Sequence, residues 1–186
     1  MQNKIVLITN GSGGCGKDTM TEIMNKYVNV KKVSSIDVFK RMLKDYTFDY
    51  TFMHGKDEKY RKLLSTVKSA FIEFNDLPLK EMEKEILKFL ETDDQVLLMD
   101  IREPEEIEKL IECVEQQKDY MDNIKINTVL VINNNVPIIE TVNSDKYVFN
   151  YAPYDYVMDN SYTLEILEQG IVVLLKELGF EVETSE

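Results

Sequence analysis

The chain has little of what most function classes require. Its 186 residues include a single histidine, two cysteines, no tryptophan and three arginines, Arg41, Arg61 and Arg102. His54 has no cysteine or acidic ligand cluster beside it, which argues against a metal centre or a nucleophile triad built on it. Cys15 and Cys113 make no disulfide framework and read as reduced thiols in a cytoplasmic protein, Cys15 as a small residue filling a loop position. No apolar run approaches membrane length, and the N-terminus runs straight into a strand pattern, so neither a membrane span nor a signal peptide is expected. A basic surface is missing as well. With 22 Lys and Arg against 34 Asp and Glu the net charge is −12, which argues against nucleic acid or an anionic membrane as the main partner. Any phosphate held by so acidic a chain has to meet basic residues concentrated at one place. There is no internal repeat and no linker long enough to divide the chain, so one domain is expected over 1–186. Its 44% apolar and 30% charged residues suit a globular protein.

What is present is concentrated near the N-terminus. Gly11-Ser12-Gly13-Gly14-Cys15-Gly16-Lys17-Asp18-Thr19 contains the G-x-x-x-x-G-K core of a phosphate-binding loop. Before it, Lys4–Thr9 is the continuous apolar run of a strand buried on both faces. After it, Met20, Ile23, Met24 and Tyr27 recur at helical spacing. Glycines let the backbone curl until its N–H groups point at phosphate oxygens. The following helix adds its positive dipole end, and Lys17 adds a cation. The loop therefore predicts a nucleoside triphosphate site. Where such loops usually carry Ser or Thr after the lysine, this one has Asp18, with Thr19 one place later. Asp18 reads equally well as a first-turn acid favoured by the dipole and as part of a Mg²⁺ shell.

The rest of the chain alternates strand and helix patterns. That predicts an α/β fold with a mostly parallel sheet of about five strands and helices on both faces, and together with the loop at 11–19 a three-layer P-loop NTPase sandwich. Strands are expected at Lys32–Ile36, Gln95–Asp100 and Thr128–Ile132, with an edge strand at Tyr156–Met158. Helices are expected at about 37–44, over 58–74 (stripe Tyr60, Leu63, Leu64, Val67, Phe71, Phe74), from Asp76 and Pro78 onward, from Pro104, and over 161–178 with Leu164, Leu167, Ile171, Leu174 and Leu178 inward. Two segments break the alternation. Residues 45–55 carry Tyr46, Phe48, Tyr50 and Phe52, and residues 133–156 carry Tyr147, Phe149, Tyr151, Tyr154 and Tyr156. Long irregular segments are often lids or substrate loops. Packing explains these aromatics better than base stacking does.

Phosphoryl transfer needs a phosphate cradle, a Mg²⁺-organising acid and cations for the acceptor. Asp100 is the acid candidate, because Val96-Leu-Leu-Met-Asp100 delivers a carboxylate to the C-terminal edge of the sheet, where doubly wound folds bind ligands. Arg102 follows it at a helix start and is the leading phosphate contact, since guanidinium groups grip phosphates bidentately. Arg61 reads almost as well as a solvated helix end, and Lys40 and Arg41 slightly better as surface.

The Gly-Lys-Asp-Thr loop resembles that of phage-type deoxynucleoside monophosphate kinases, within the nucleoside monophosphate kinase superfamily, and also that of animal-type phosphomevalonate kinases. Val33–Lys40, Lys56–Leu64, Leu98–Glu106 and Asp155–Glu165 resemble further segments of these kinases in the expected order. The resemblance implies a Mg²⁺-dependent transfer of the ATP γ-phosphoryl group to a phosphorylated small molecule. It implies loop residues 11–19 and Asn160 at the nucleotide, Asp18 and Asp100 at the metal, and Lys17, Asp100 and Arg102 in catalysis. It further implies an acceptor region at about 37–75 containing Asp37, Lys40, Arg41 and Arg61, and a lid at about 133–154. This chain departs from the pattern in the lid, where Lys146 is the cation and no arginine follows Arg102. A non-nucleotide acceptor and a non-catalytic nucleotide switch are the alternatives. Neither an Asn-Lys-x-Asp nor an Asp-x-x-Gly motif supports a GTPase.

Overall fold

Parallel strands must be joined by crossovers, so a sheet of this kind is assembled from strand–helix units. A computed structural model describes residues 4–44, 58–117, 124–136 and 154–182. Its strands are β1 (Lys4–Asn10), β2 (Val30–Ser34), β3 (Val96–Asp100), β4 (Ile124–Ile132) and β5 (Tyr156–Asp159). They form one sheet in the order β2-β3-β1-β4-β5, and every pairing is parallel. The helices described are α1 (Lys17–Met24), α2 (Asp37–Leu43), α3 (Glu58–Asn75), α4 (Leu77–Leu90), α5 (Pro104–Gln116) and α6 (Leu164–Glu177).

Strand alternation divides the core into two layers. Ile5, Leu7, Val96, Leu98, Val129 and Val131 face α1 and α6, meeting Met20, Met24, Leu167, Ile171 and Leu174. Val6, Ile8, Leu97 and Met99 face the other way, onto Met82, Ile86 and Phe89 of α4 and Ile107 and Leu110 of α5. A smaller cluster of Phe39, Tyr60 and Leu64, backed by Val67 and Phe71, joins α2 to α3 beyond the sheet. The same alternation carries past the core. In register, Thr9 lies opposite Asp100 and Ser34 opposite Asp100, so all three fall on the α1 side at the C-terminal edge. The phosphate loop leaves β1 at that edge.

Several expected boundaries move. The second strand is Val30–Ser34, two residues earlier than expected, because the Asp37 carboxylate accepts from the Ser34 N–H at 2.8 Å and makes Ser35 and Ile36 the turn that leads into α2. The strand after α5 begins at Ile124. Its polar alternation, Lys125 and Asn127, hid four residues that pair along β1 from Lys4 onward. Leu63 and Phe74 are exposed (42% and 80%) because α3 covers only the small cluster and uses a narrow stripe. The last helix starts at Leu164, not 161, and Leu164 itself is exposed in its first turn. The aromatics of 45–55, together with His54, Lys146, Tyr147, Phe149 and Tyr151, lie outside the described residues. Among the described residues no helix is long and apolar enough to cross a membrane.

Candidate phosphate-binding site

The loop between β1 and α1 is held from four sides. At its start, the Asn10 side-chain oxygen accepts from the Gly11 N–H at 2.7 Å, while the Asn10 amide donates to the Arg102 carbonyl (3.1 Å) and to the Tyr154 hydroxyl (2.8 Å). Asn10 is fully buried, so these bonds leave its polar atoms satisfied. At Gly11 the fit is close enough to require glycine: a Cβ would lie 2.5 Å from the Val131 carbonyl oxygen and 2.6 Å from the Cys15 sulfur. Within the loop, the Cys15 N–H donates to the Ser12 carbonyl at 3.3 Å. At its end, Gly16 caps α1 in the left-handed region (φ 103°), where a side chain is strained. The Asn160 amide donates to the Cys15 carbonyl at 2.9 Å and closes the far side.

The Lys17 ammonium is folded into this ring. It donates to the Gly11 carbonyl at 2.9 Å and the Ser12 carbonyl at 3.4 Å, and approaches the Cys15 sulfur at 3.7 Å. Lys17, Ser12 and Cys15 are buried, whereas Gly14 and Asp18 are exposed and Gly13 and Thr19 half-buried. Burial pushes the Cys15 thiol up, against the pull of the Lys17 ammonium. Cys15 is therefore a packed neutral thiol.

Beside the loop, β3 ends on Asp100, half-buried at the sheet edge. Its Oδ1 accepts from the Thr9 hydroxyl at 3.0 Å, and its Oδ2 lies 3.6 Å from the Lys32 ammonium. Lys32 also pairs with Asp18, whose carboxyl is held below its ordinary range mainly by that hydrogen bond. One ammonium thus touches both acids that the sequence nominated for metal. The sequence reading missed Lys32. The period-two alternation of β2, which puts Lys32 on the face of Ser34 and Lys31 on the other, was the signal for it.

The acceptor candidates sit further out. Asp37 is engaged by the Ser34 N–H and by Lys40 (2.8 Å), and the exposed Arg41 pairs with Glu81 of α4 at 3.2 Å. An open depression of about 200 Å³ is lined by Lys32, Ser34, Asp37, Arg41, Glu81 and Glu85. Its three acids against two bases do not favour a phosphate. Arg61 and Arg102 are half-buried, and neither is without a partner. The residue ahead of α5 brings in a second unforeseen cation. Lys68 of α3, almost fully buried, donates to the Ser35 hydroxyl (3.0 Å), Glu103 (2.5 Å) and Glu106 (2.8 Å). It ties α3 and the β2–α2 turn to the segment that carries Arg102.

Among the described residues no group of three or more acidic, His or Cys side chains is placed to hold a metal ion. The oxygen donors present, Asp18 and Asp100, are a pair. That fits Mg²⁺ as nucleotide enzymes take it, on one or two carboxylates, with substrate phosphates and water completing the shell.

No protein-family model matches the chain, and no curated protein matches it. Among solved structures it is similar to APE1195, at 15% identity over 97% of this chain and 99% of that one, with a TM-score of 0.51. It is equally similar to the tunicamycin resistance protein of Deinococcus radiodurans, at 10% identity over 98% and 99% and a TM-score of 0.51. A dephospho-CoA kinase from Campylobacter jejuni aligns over 93% of this chain and 96% of its own, at 11% identity and a TM-score of 0.45. The fold is that of the P-loop NTPases: a five-stranded parallel sheet, helices on both faces and the glycine loop at the C-terminal edge.

Proposed function

We propose that the chain is an ATP- and Mg²⁺-dependent phosphotransferase that moves the γ-phosphoryl group to a phosphorylated small molecule, best a (deoxy)nucleoside monophosphate. The observation that carries this reading is the convergence of a glycine loop, the Lys17 ammonium and the Asp100 carboxylate at one sheet edge. The amides of residues 11–19 and the end of α1 receive the β- and γ-phosphates. Lys17, already directed into the loop, exchanges its carbonyl partners for phosphate oxygens and follows the charge that moves during transfer. Asp18 and Asp100 hold Mg²⁺, which neutralises phosphate charge when bound. Arg102, at the loop after β3, grips the acceptor phosphate with help from Arg61 or Lys40, while Asp37 fixes the start of α2 beside them. Asn160, pressed against the loop, lies on the nucleotide side of the site. The Gly-Lys-Asp loop keeps a phosphomevalonate-like acceptor as the second reading.

The test is product formation from ATP·Mg²⁺ with a panel of ribo- and deoxyribonucleoside monophosphates plus phosphomevalonate, using Lys17→Ala as control. A diphosphate product that disappears in the variant is expected. Transfer that survives in Lys17→Ala, or no transfer to any acceptor despite ATP binding, overturns the reading.

A further inference from the structure

Among the described residues β2 makes three ion pairs; two of them lie at the nucleotide edge, and both belong to Lys32. Strand alternation sends Lys31 to Glu85 of α4 (2.9 Å) and Lys32 to the opposite face, towards α1. In register Lys32 lies beside Leu98, two residues short of Asp100, and its stem spans that distance to bring the ammonium to the strand end. The two oxygens of Asp100 are then divided, Oδ1 to Thr9 and Oδ2 to Lys32. Asp18 is 92% exposed at its side chain, so burial does not hold it in place; the Lys32 ammonium does.

We propose that Lys32 is an internal counter-ion of the metal site: it holds the Asp18 and Asp100 carboxylates together and competes with a divalent cation for them. Lys32 is thus a positioning residue that sets how tightly the protein takes Mg²⁺. The two carboxylates are balanced by Lys32 in contact and, around Asp18 at longer range, by Lys17 and Lys40, so a divalent ion arriving alone leaves the site with excess positive charge. An ion arriving with a triphosphate does not. The metal is therefore taken up with the nucleotide, and the free protein holds it weakly. This rests on the kinase reading only for the metal's part in turnover.

The test is a Mn²⁺ titration of the full chain, followed by electron paramagnetic resonance without nucleotide or acceptor. Lys32→Met and Lys32→Gln are expected to bind Mn²⁺ at least about fivefold tighter than the wild type, the effect of a unit charge a few ångströms away even through water. Lys32→Arg, which keeps the charge, and Lys31→Met, which removes the same charge on the opposite face, are expected to stay within about twofold. Adding Asp18→Asn to Lys32→Gln is expected to cancel the gain, and Asp18 is exposed enough for that change to leave folding intact. Unchanged or weaker binding in both neutral Lys32 variants overturns the proposal, as does equal tightening in Lys31→Met. The titration is independent of turnover, so its failure and the failure of the acceptor panel are separate results.

Discussion

The side-chain amide of Asn160 donates to the carbonyl of Cys15 at 2.9 Å, across 145 residues of sequence, and fixes the phosphate loop to the end of β5. A Cβ on Gly16 would lie 1.9 Å from that same amide nitrogen, so the loop and Asn160 fit only while position 16 is glycine. Gly16→Ala combines left-handed backbone strain of about 1–3 kcal/mol with displacement of Asn160. Calorimetric titration is expected to show ATP affinity at least about tenfold weaker, equivalent to about 1.4 kcal/mol. Asn160→Ala loses one hydrogen bond, about 1 kcal/mol, and the melting temperature is expected to fall by about 2–4 °C. Wild-type ATP affinity in Gly16→Ala would show that the loop closes without Asn160.

The Thr9 hydroxyl orients Asp100 from the neighbouring strand. Such supporting partners are worth about 10–100-fold in metal affinity or activity. Thr9→Val is therefore expected to lower kcat by about tenfold and Asp100→Asn by about a hundredfold or more, with ATP affinity nearly kept in both. Steady-state kinetics at saturating Mg²⁺ distinguishes this from a loss of binding. A wild-type kcat in Asp100→Asn removes the acid from the reaction.

The central strands, the phosphate loop and Asp100 were legible because each is local: a short apolar run, a glycine spacing, a carboxylate at a strand end. Lys32, Lys68 and Asn10 were not, because each acts through a register or a crossover. Lys32 meets Asp18 and Asp100 only once β2 pairs with β3, and Lys68 meets Glu103 and Glu106 only once α3 crosses to the start of α5. Similarly, Leu63 and Phe74 fall on the α3 stripe by spacing, but they stay exposed, with no described residue covering them. Asp37 and Arg41 carried a ligand signal that their turn and ion pair explain without one.

Both thiols are expected to be inert. Cys15 is fully buried with its pKa raised by burial, and Cys113 is pushed up to about 11, first by burial and then by its hydrogen bond to Glu83 (2.7 Å). The thiolate is the reactive form, so iodoacetamide near neutral pH is expected to leave the native protein unlabelled and to label both cysteines in denaturant. Mass spectrometry reads the outcome. Rapid native labelling of Cys15 would place an open, ionised sulfur in the loop.

Lys68 and Glu106 make stability depend on pH in an uncommon direction. Burial pushes the Glu106 carboxyl up from 4.5 to about 7, against the Lys68 ammonium, with Glu103 adding to the rise and Lys109 opposing it. One Glu106 oxygen has no hydrogen-bond partner among the described residues, while the other meets Lys68. The folded chain thus binds this proton more tightly than the unfolded chain does. Its contribution to stability is full below about 4.5, falls as pH rises through about 7, and is level above that. The size is on the order of 3 kcal/mol. Denaturant unfolding of the wild type is expected to show this decline superimposed on the other titrations, and Glu106→Gln is expected to flatten it. Lys68→Met leaves two acids without their buried cation, a loss of about 3–5 kcal/mol above neutrality that shrinks in acid as Glu106 takes up its proton. Glu106→Gln unfolding with the wild-type pH slope, or a Lys68→Met penalty that is the same at both ends of the range, would show that Glu106 stays ionised in the folded protein.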